Sequence, residues 1–180
     1  MRSIWMLGSE EQKQRWLPGT ARLDLLGAFA LTEPEHGSDA VALESTARRD
    51  GDGYILDGEK RWIGNSSMAD VIVVWARDTT DGHVKGLLVE KGTPGYDARV
   101  IEGKASVRAV LQADITLTGV RVPAGNVLSG AREPLVRFQL VQDQLVKMLA
   151  EVTAMQLYCL RVSRLNEQGK LTDTIAALPR

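Results

Sequence analysis

The chain of 180 residues is long enough for one ordinary domain, or a small domain with an appendage, and its 44% hydrophobic content supports a buried core without covalent staples. Lys and Arg total 22 against 23 Asp and Glu, a formal net charge of −1, which argues against a nucleic-acid binder held by phosphate contacts and against a polybasic membrane-surface protein. Cys159 is the single cysteine, so an internal disulfide and a cysteine-rich zinc site are excluded, and His36 and His83 lie too far apart in sequence to suggest a multi-histidine metal site.

The opening Met1-Arg2-Ser3-Ile4-Trp5-Met6-Leu7 contains an apolar run too short for a signal peptide. No stretch approaches the ~18 uninterrupted apolar residues of a membrane span. A soluble, cytoplasmic protein is therefore expected. Ser9 to Leu17 reads as a short helix: Ser9 is a suitable N-cap, and Gln12 three residues on can return the reciprocal bond of a capping box. Pro18-Gly19 is expected to end it.

From about Gly27 to Asn126 the signals are β. Phe29-Ala30-Leu31-Thr32-Glu33-Pro34-Glu35-His36-Gly37-Ser38-Asp39 reads as a strand running into a loop of small hydroxyl and glycine residues. Such a loop can aim polar groups at an anion or a heterocycle edge, although local chemistry alone favours a capped surface turn. Glu33 and Asp39 suggest an acid/base pair only weakly, because carboxylates in turns are usually solvated. Asp50-Gly51-Asp52-Gly53 and Asp57-Gly58 carry turn chemistry, and Tyr54–Leu56 with Glu59–Ile63 predict a tight hairpin about Asp57-Gly58. The Trp62-Ile63-Gly64-Asn65-Ser66 stretch can lay an aromatic face against a flat ligand, or simply end a strand with a core Trp. Val71–Ala76 is a buried strand rich in β-branched residues. Further strands are expected at Val84–Lys91, Ile115–Thr118 and Val120–Val122, with turns at Thr79–Gly82 and Thr93–Gly95. Short strands without intervening helices predict an antiparallel barrel or sandwich.

From Pro134 the period changes. Val141, Leu145, Met148, Val152, Met155, Cys159 and Val162 form one helical stripe, widened by Leu140, Leu149 and Leu160, between Pro134 and an exit at Gly169. About 35 residues at ~1.5 Å each make a rod of ~50 Å, whose apolar face calls for partner helices, in another copy or another chain. The predicted fold is α+β: a helical segment at 1–26, a β domain at 27–128, and a helical part at 129–180 built on one long helix.

Several of these segments together resemble the acyl-CoA dehydrogenase family in order and spacing. They are Leu31-Thr32-Glu33-Pro34 through Gly37-Ser38-Asp39, then Gly58-x-Lys60-x-Trp62-Ile63-x-Asn65, then Val122-Pro123-x-x-Asn126-x-Leu128. The flanks Gly8–Lys13 with Trp16-Leu17-Pro18, and Pro134-Leu135-x-x-Phe138-Gln139-Leu140-x-Gln142, resemble the same family, so nearly the whole chain is covered and the local alternatives lose their weight. Met68-Ala69-Asp70 and the Phe-Gln-Leu helix look most similar to the branch of glutaryl-CoA dehydrogenases and short-chain acyl-CoA oxidases.

The resemblance implies an FAD flavoprotein of fatty acid metabolism that oxidises the α,β bond of acyl-CoA thioesters, a glutamate taking the α-proton while hydride leaves for the flavin. It places Phe29, Ala30, Leu31, Thr32, Gly37, Ser38, Trp62, Ile63 and Gly64 against FAD, with Ser38 also towards the acyl-CoA, and matches Gln139 to a residue reaching the FAD of a neighbouring subunit. Three departures accompany it. Gly64 stands where many relatives carry Thr. The passage from Leu128-Ser129-Gly130 to Pro134-Leu135 omits a helix that relatives have. The sequence closes at Leu178-Pro179-Arg180 before the region that supplies the family's glutamate. Glu133, Glu151 and Glu167 match no catalytic position, so no catalytic residue is assigned and no metal is expected. The expectation is a truncated, internally deleted and catalytically incomplete relative that forms homo- or hetero-oligomers through its C-terminal helix. The alternatives are a subunit completed by another chain, or a non-enzymatic module that assembles with full-length relatives.

Overall fold

The computed structural model describes residues 1–106, 108–132 and 161–170. The chain divides into two compact units, Met1–Pro134 and Leu135–Arg180.

The first unit opens with two helices, α1 (Arg2–Leu7) and α2 (Glu10–Ala21). The capping box forms as expected: Ser9 Oγ accepts from Gln12 N–H at 3.2 Å and Gln12 Oε1 accepts from Ser9 N–H at 3.0 Å. Pro18 does not end α2, which runs on to Ala21. The Thr20 hydroxyl donates to the carbonyls of Trp16 and Leu17 at 2.8 and 3.0 Å, adding side-chain bonds in the last turn of the helix.

Seven strands follow: β1 (Gly27–Ala30), β2 (Thr46–Asp50), β3 (Gly53–Gly64), β4 (Val71–Asp78), β5 (Val84–Glu90), β6 (Tyr96–Val100) and β7 (Gln112–Pro123). They form one mixed sheet rather than an antiparallel barrel or sandwich. On one edge of β4, β1 pairs parallel with Val71–Val74 and β2 pairs parallel with Arg77–Asp78; β5 pairs antiparallel on the other edge. The reason is topological. β1 and β2 run in the same direction along β4 as two parts of one line of backbone, interrupted where residues 31–45 leave the sheet. From β2 the order continues antiparallel through β3, β7 and β6. The sheet curls round one cluster that includes Ala30, Leu56, Ile63, Ile72, Val74, Leu87, Ile115, Leu117 and Val120.

β4 is buried on both faces, as its unbroken apolar sequence requires. Ile72, Val74 and Ala76 belong to the central cluster, while Val71, Val73 and Trp75 are buried on the opposite side. There Gly86 leaves the room that Leu128 and Trp75 fill, since a Cβ at that position would meet Leu128 Cδ1 at 2.9 Å. Gln12 Nε2 ties α2 to the segment after β7, donating to the carbonyls of Gly125 and Val127 at 2.7 and 3.0 Å.

The hairpin predicted at Asp57-Gly58 is not formed. β3 runs straight through it, and the turn lies at Asp50–Gly53, where β2 and β3 pair in register from Thr46↔Asp57 to Asp50↔Gly53. Gly58 serves a different purpose: its φ is +138°, and a Cβ there would fall 2.5 Å from Ser45 Oγ, so the glycine admits the incoming Ser45 backbone. The two strands expected on either side of Gly119 are one, β7, with a register shift opposite Leu56–Gly58; Gly119 has φ +60° and its N–H donates to Asp57 Oδ1 at 2.7 Å.

In the second unit, 161–167 is helical, which agrees with the end of the predicted stripe at Val162. The rest of that stripe, from Val141 to Cys159, and Gln139 lie outside the described residues. No helix among the described residues is long and apolar enough to cross a membrane.

Candidate functional site

β3 changes geometry where the sequence reads Lys60-Arg61-Trp62-Ile63. Lys60 opposes Ile115 and Ile63 opposes Ala113, so β3 carries one more residue than β7 over this interval. That is a β-bulge. It returns Ile63 to the core at 3% exposure and turns Trp62 outward at 46%, with Trp62 at φ +62°, a left-handed conformation that a non-glycine residue rarely adopts. Arg61 lies over the Trp62 ring, 5.4 Å from its centroid. Beyond Gly64 the backbone stays on β7 through Asn65 N–H, which donates to Leu111 O at 2.8 Å, and then turns under the Asn65 carbonyl.

The loop leaving β1 is fastened to this bulge. Arg61 N–H donates to Thr32 O at 2.9 Å, and Lys60 Nζ reaches Leu31 O at 3.3 Å and Glu33 Oε1 at 2.6 Å. Glu33 also accepts from Glu44 N–H at 2.6 Å and Ser45 N–H at 3.0 Å. It therefore staples both ends of the 33–45 loop, an Ω-like excursion with Gly37 and Ser38 exposed towards its tip. Glu33 is consequently no solvated turn carboxylate; its side chain is 4% exposed and that of Lys60 is 0%. Asp39 is exposed, as expected.

Burial acts to raise the Glu33 pKa, but the N–H donors of Glu44 and Ser45 and the Lys60 ammonium outweigh it and hold the carboxyl at about 2. On Lys60, burial lowers the pKa and Glu33 partly restores it. A carboxylate so committed to donors is a poor proton acceptor.

The residues predicted to face a cofactor thus divide. Leu31 and Thr32 are tied through their carbonyls to Lys60 and Arg61, and the loop that carries Gly37 and Ser38 is closed by Glu33. Phe29 is 49% exposed and stands 6.0 Å, ring centre to ring centre, from Trp75. Ala30 and Ile63 have their side chains in the core, leaving only their main chains to any ligand. Open space surrounds the Cβ positions of Gly37 and Gly64. Two half-exposed aromatic faces, uncrowded glycines and a hydroxyl-bearing loop fit a flat heterocycle with polar edges. Sequence reasoning missed the Glu33–Lys60 pair. Its signal was legible: the period-2 series Leu56-x-Gly58-x-Lys60 sends Lys60 inward, where an ammonium needs an anion.

Residues 28–120 match the family model described as acyl-CoA dehydrogenase, middle domain, and residues 127–178 match acyl-CoA dehydrogenase, C-terminal domain. The chain is 38% identical over 145 residues to the short-chain specific acyl-CoA dehydrogenase, mitochondrial, of Bos taurus, covering 79% of this chain and 34% of that protein. Among solved structures it is similar to glutaryl-CoA dehydrogenase from Mycobacterium smegmatis, with a TM-score of 0.70 at 35% identity over 95% of this chain and 55% of that one. It is also similar to the acyl-CoA dehydrogenase complexed with FAD from Bacillus anthracis, with a TM-score of 0.67 at 40% identity, covering 71% of this chain and 22% of that one. The chain spans about a third of the length of the curated relatives it matches, 34% for the bovine protein.

Proposed function

The chain belongs to the acyl-CoA dehydrogenase family, and on that premise we propose that it forms the flavin- and thioester-facing surface of a dehydrogenase acting on the α,β carbon–carbon bond of acyl-CoA thioesters, with FAD as cofactor. The observation that carries this reading is the joining of the loop after β1 to the Trp62 bulge through Thr32, Glu33, Lys60 and Arg61.

Bound FAD supplies the hydride acceptor for such a reaction. The residues of this chain bind and orient. The Trp62 ring, and Phe29 at the end of β1, offer apolar faces that exclude water from a stacked heterocycle. Gly64 lets a ligand approach the backbone closely, and the Ser38 hydroxyl offers a donor at the loop tip. A thioester α-C–H becomes acidic only when its carbonyl is polarised by positioned donors, so a fixed surface is a chemical requirement. Glu33 does not serve as the base, because it is already spent on Lys60 and two backbone N–H groups. Further copies of this chain, or a complementary chain, complete the site.

The test is the visible absorption spectrum of the purified protein after incubation with FAD and removal of the excess. The expected result is a stoichiometric bound-flavin spectrum. A colourless protein overturns flavin binding by this chain. A flavin spectrum that no acyl-CoA bleaches, even with a complementary chain present, overturns the dehydrogenase reading.

A further inference from the structure

We propose that Glu33 and Lys60 are a positioning pair that fixes the 31–45 loop on the Trp62 bulge and thereby sets the flavin-facing surface; the second half of this role rests on the function proposed above. A bulge takes backbone groups out of the ladder, and these must find other partners. Here Arg61 and Trp62 fall between the paired positions Lys60↔Ile115 and Ile63↔Ala113, and Arg61 N–H is taken up by Thr32 O at 2.9 Å. Lys60, at the start of the bulge, reaches Leu31 O and Glu33 Oε1. Three bonds thus run between residues 31–33 and 60–61, and none belongs to the sheet.

The carboxylate is needed in its charged form. Glu33 uses both oxygens on three donors: Lys60 and Ser45 on Oε1, Glu44 on Oε2. A neutral amide has one acceptor oxygen and would turn its NH2 towards one of those donors. Burying two full charges is not required by the core, because an apolar pair of similar volume often supports a fold equally well. What the ion pair adds is direction. It closes the loop that bears Gly37 and Ser38 and holds Thr32 in place to receive Arg61 N–H next to the strained Trp62.

The test uses the full chain and the double variant Glu33→Leu/Lys60→Met, with Asp50→Asn as a control in the exposed Asp50–Arg121 pair. FAD dissociation constants are read by flavin fluorescence, amide hydrogen exchange by NMR, and folding by circular dichroism. The expected result is a folded double variant in which the amides of Arg61, Glu44 and Ser45 exchange about tenfold faster or more, with a parallel rise of about tenfold in the FAD dissociation constant and no change in the control. Either change without the other overturns the proposal: loosening without loss of affinity leaves a structural tie only, and lost affinity without loosening points to a direct contact. If the double variant does not fold, Glu33→Gln is scored by the same two readouts. If the wild-type chain takes up no FAD, the proposed function fails, and amide exchange alone then decides whether the pair fixes the loop.

Discussion

At the scale of single residues, the fate of Glu33 follows from what surrounds it. A carboxyl group held at about 2 in the folded chain, against an ordinary 4.5, binds a proton less readily folded than unfolded. Its stabilising contribution is complete above the unfolded value and is lost as pH falls from about 4.5 towards 2. That difference corresponds to about 3 kcal/mol at most. Urea unfolding of the wild type at pH 6, 4 and 3 is therefore expected to show a steep loss of stability, and Glu33→Gln a flatter one, starting lower at pH 6. Equal slopes would remove Glu33 as the source. Removing only Lys60 is harsher, since it leaves a buried anion, and such losses run to about 3–5 kcal/mol.

At the scale of elements, one side chain can end a helix and join it to the sheet. Gln12 closes the capping box of α2 and also holds the carbonyls of Gly125 and Val127. Ser9→Ala removes only the cap and is expected to cost about 1 kcal/mol. Gln12→Ala removes the reciprocal cap bond and leaves two carbonyls without their donor, so it is expected to cost about 2 kcal/mol or more. Chemical denaturation midpoints of the two variants decide the order, and a Ser9→Ala loss equal to or greater than that of Gln12→Ala would contradict it. The helix cap was legible because its partners lie three residues apart. The hairpin at Asp57-Gly58 misled because Asp-Gly is turn chemistry in isolation. Here it serves a bulge opposite Gly119 and a close approach by Ser45, and both neighbours are distant in sequence.

At the scale of the whole molecule, the sheet of the Met1–Pro134 unit is organised about β4, which pairs with β1, β2 and β5. Ile72 sits at its centre with 0% exposure, within a cluster drawn from β1, β2, β3, β4, β5 and β7. Ile72→Ala is expected to cost about 2–5 kcal/mol through lost burial and the cavity left behind. Because all those strands share the cluster, the loss should appear as one shifted transition. The four tryptophans, Trp5, Trp16, Trp62 and Trp75, lie in α1, α2, β3 and β4, so intrinsic fluorescence samples the unit broadly. Two separated fluorescence transitions would show that this unit does not unfold as one.

The sequence by itself determined whatever is local or additive. The α2 cap, the buried run of β4, the strand-to-loop passage at Phe29–Asp39 and the motifs of the acyl-CoA dehydrogenase family all depend on residues close together or on matches in order. Only the tertiary structure decided that the sheet is mixed, because parallel pairing of β1 and β2 with β4 depends on residues 31–45 leaving the sheet between them. It alone decided that Glu33 is buried, since its partners Lys60, Glu44 and Ser45 are 27, 11 and 12 residues away. A carboxylate in a turn reads as a surface residue, and the period-2 series that sends Lys60 inward does not name its anion. Brought together in a space closed to water, each becomes the condition for burying the other.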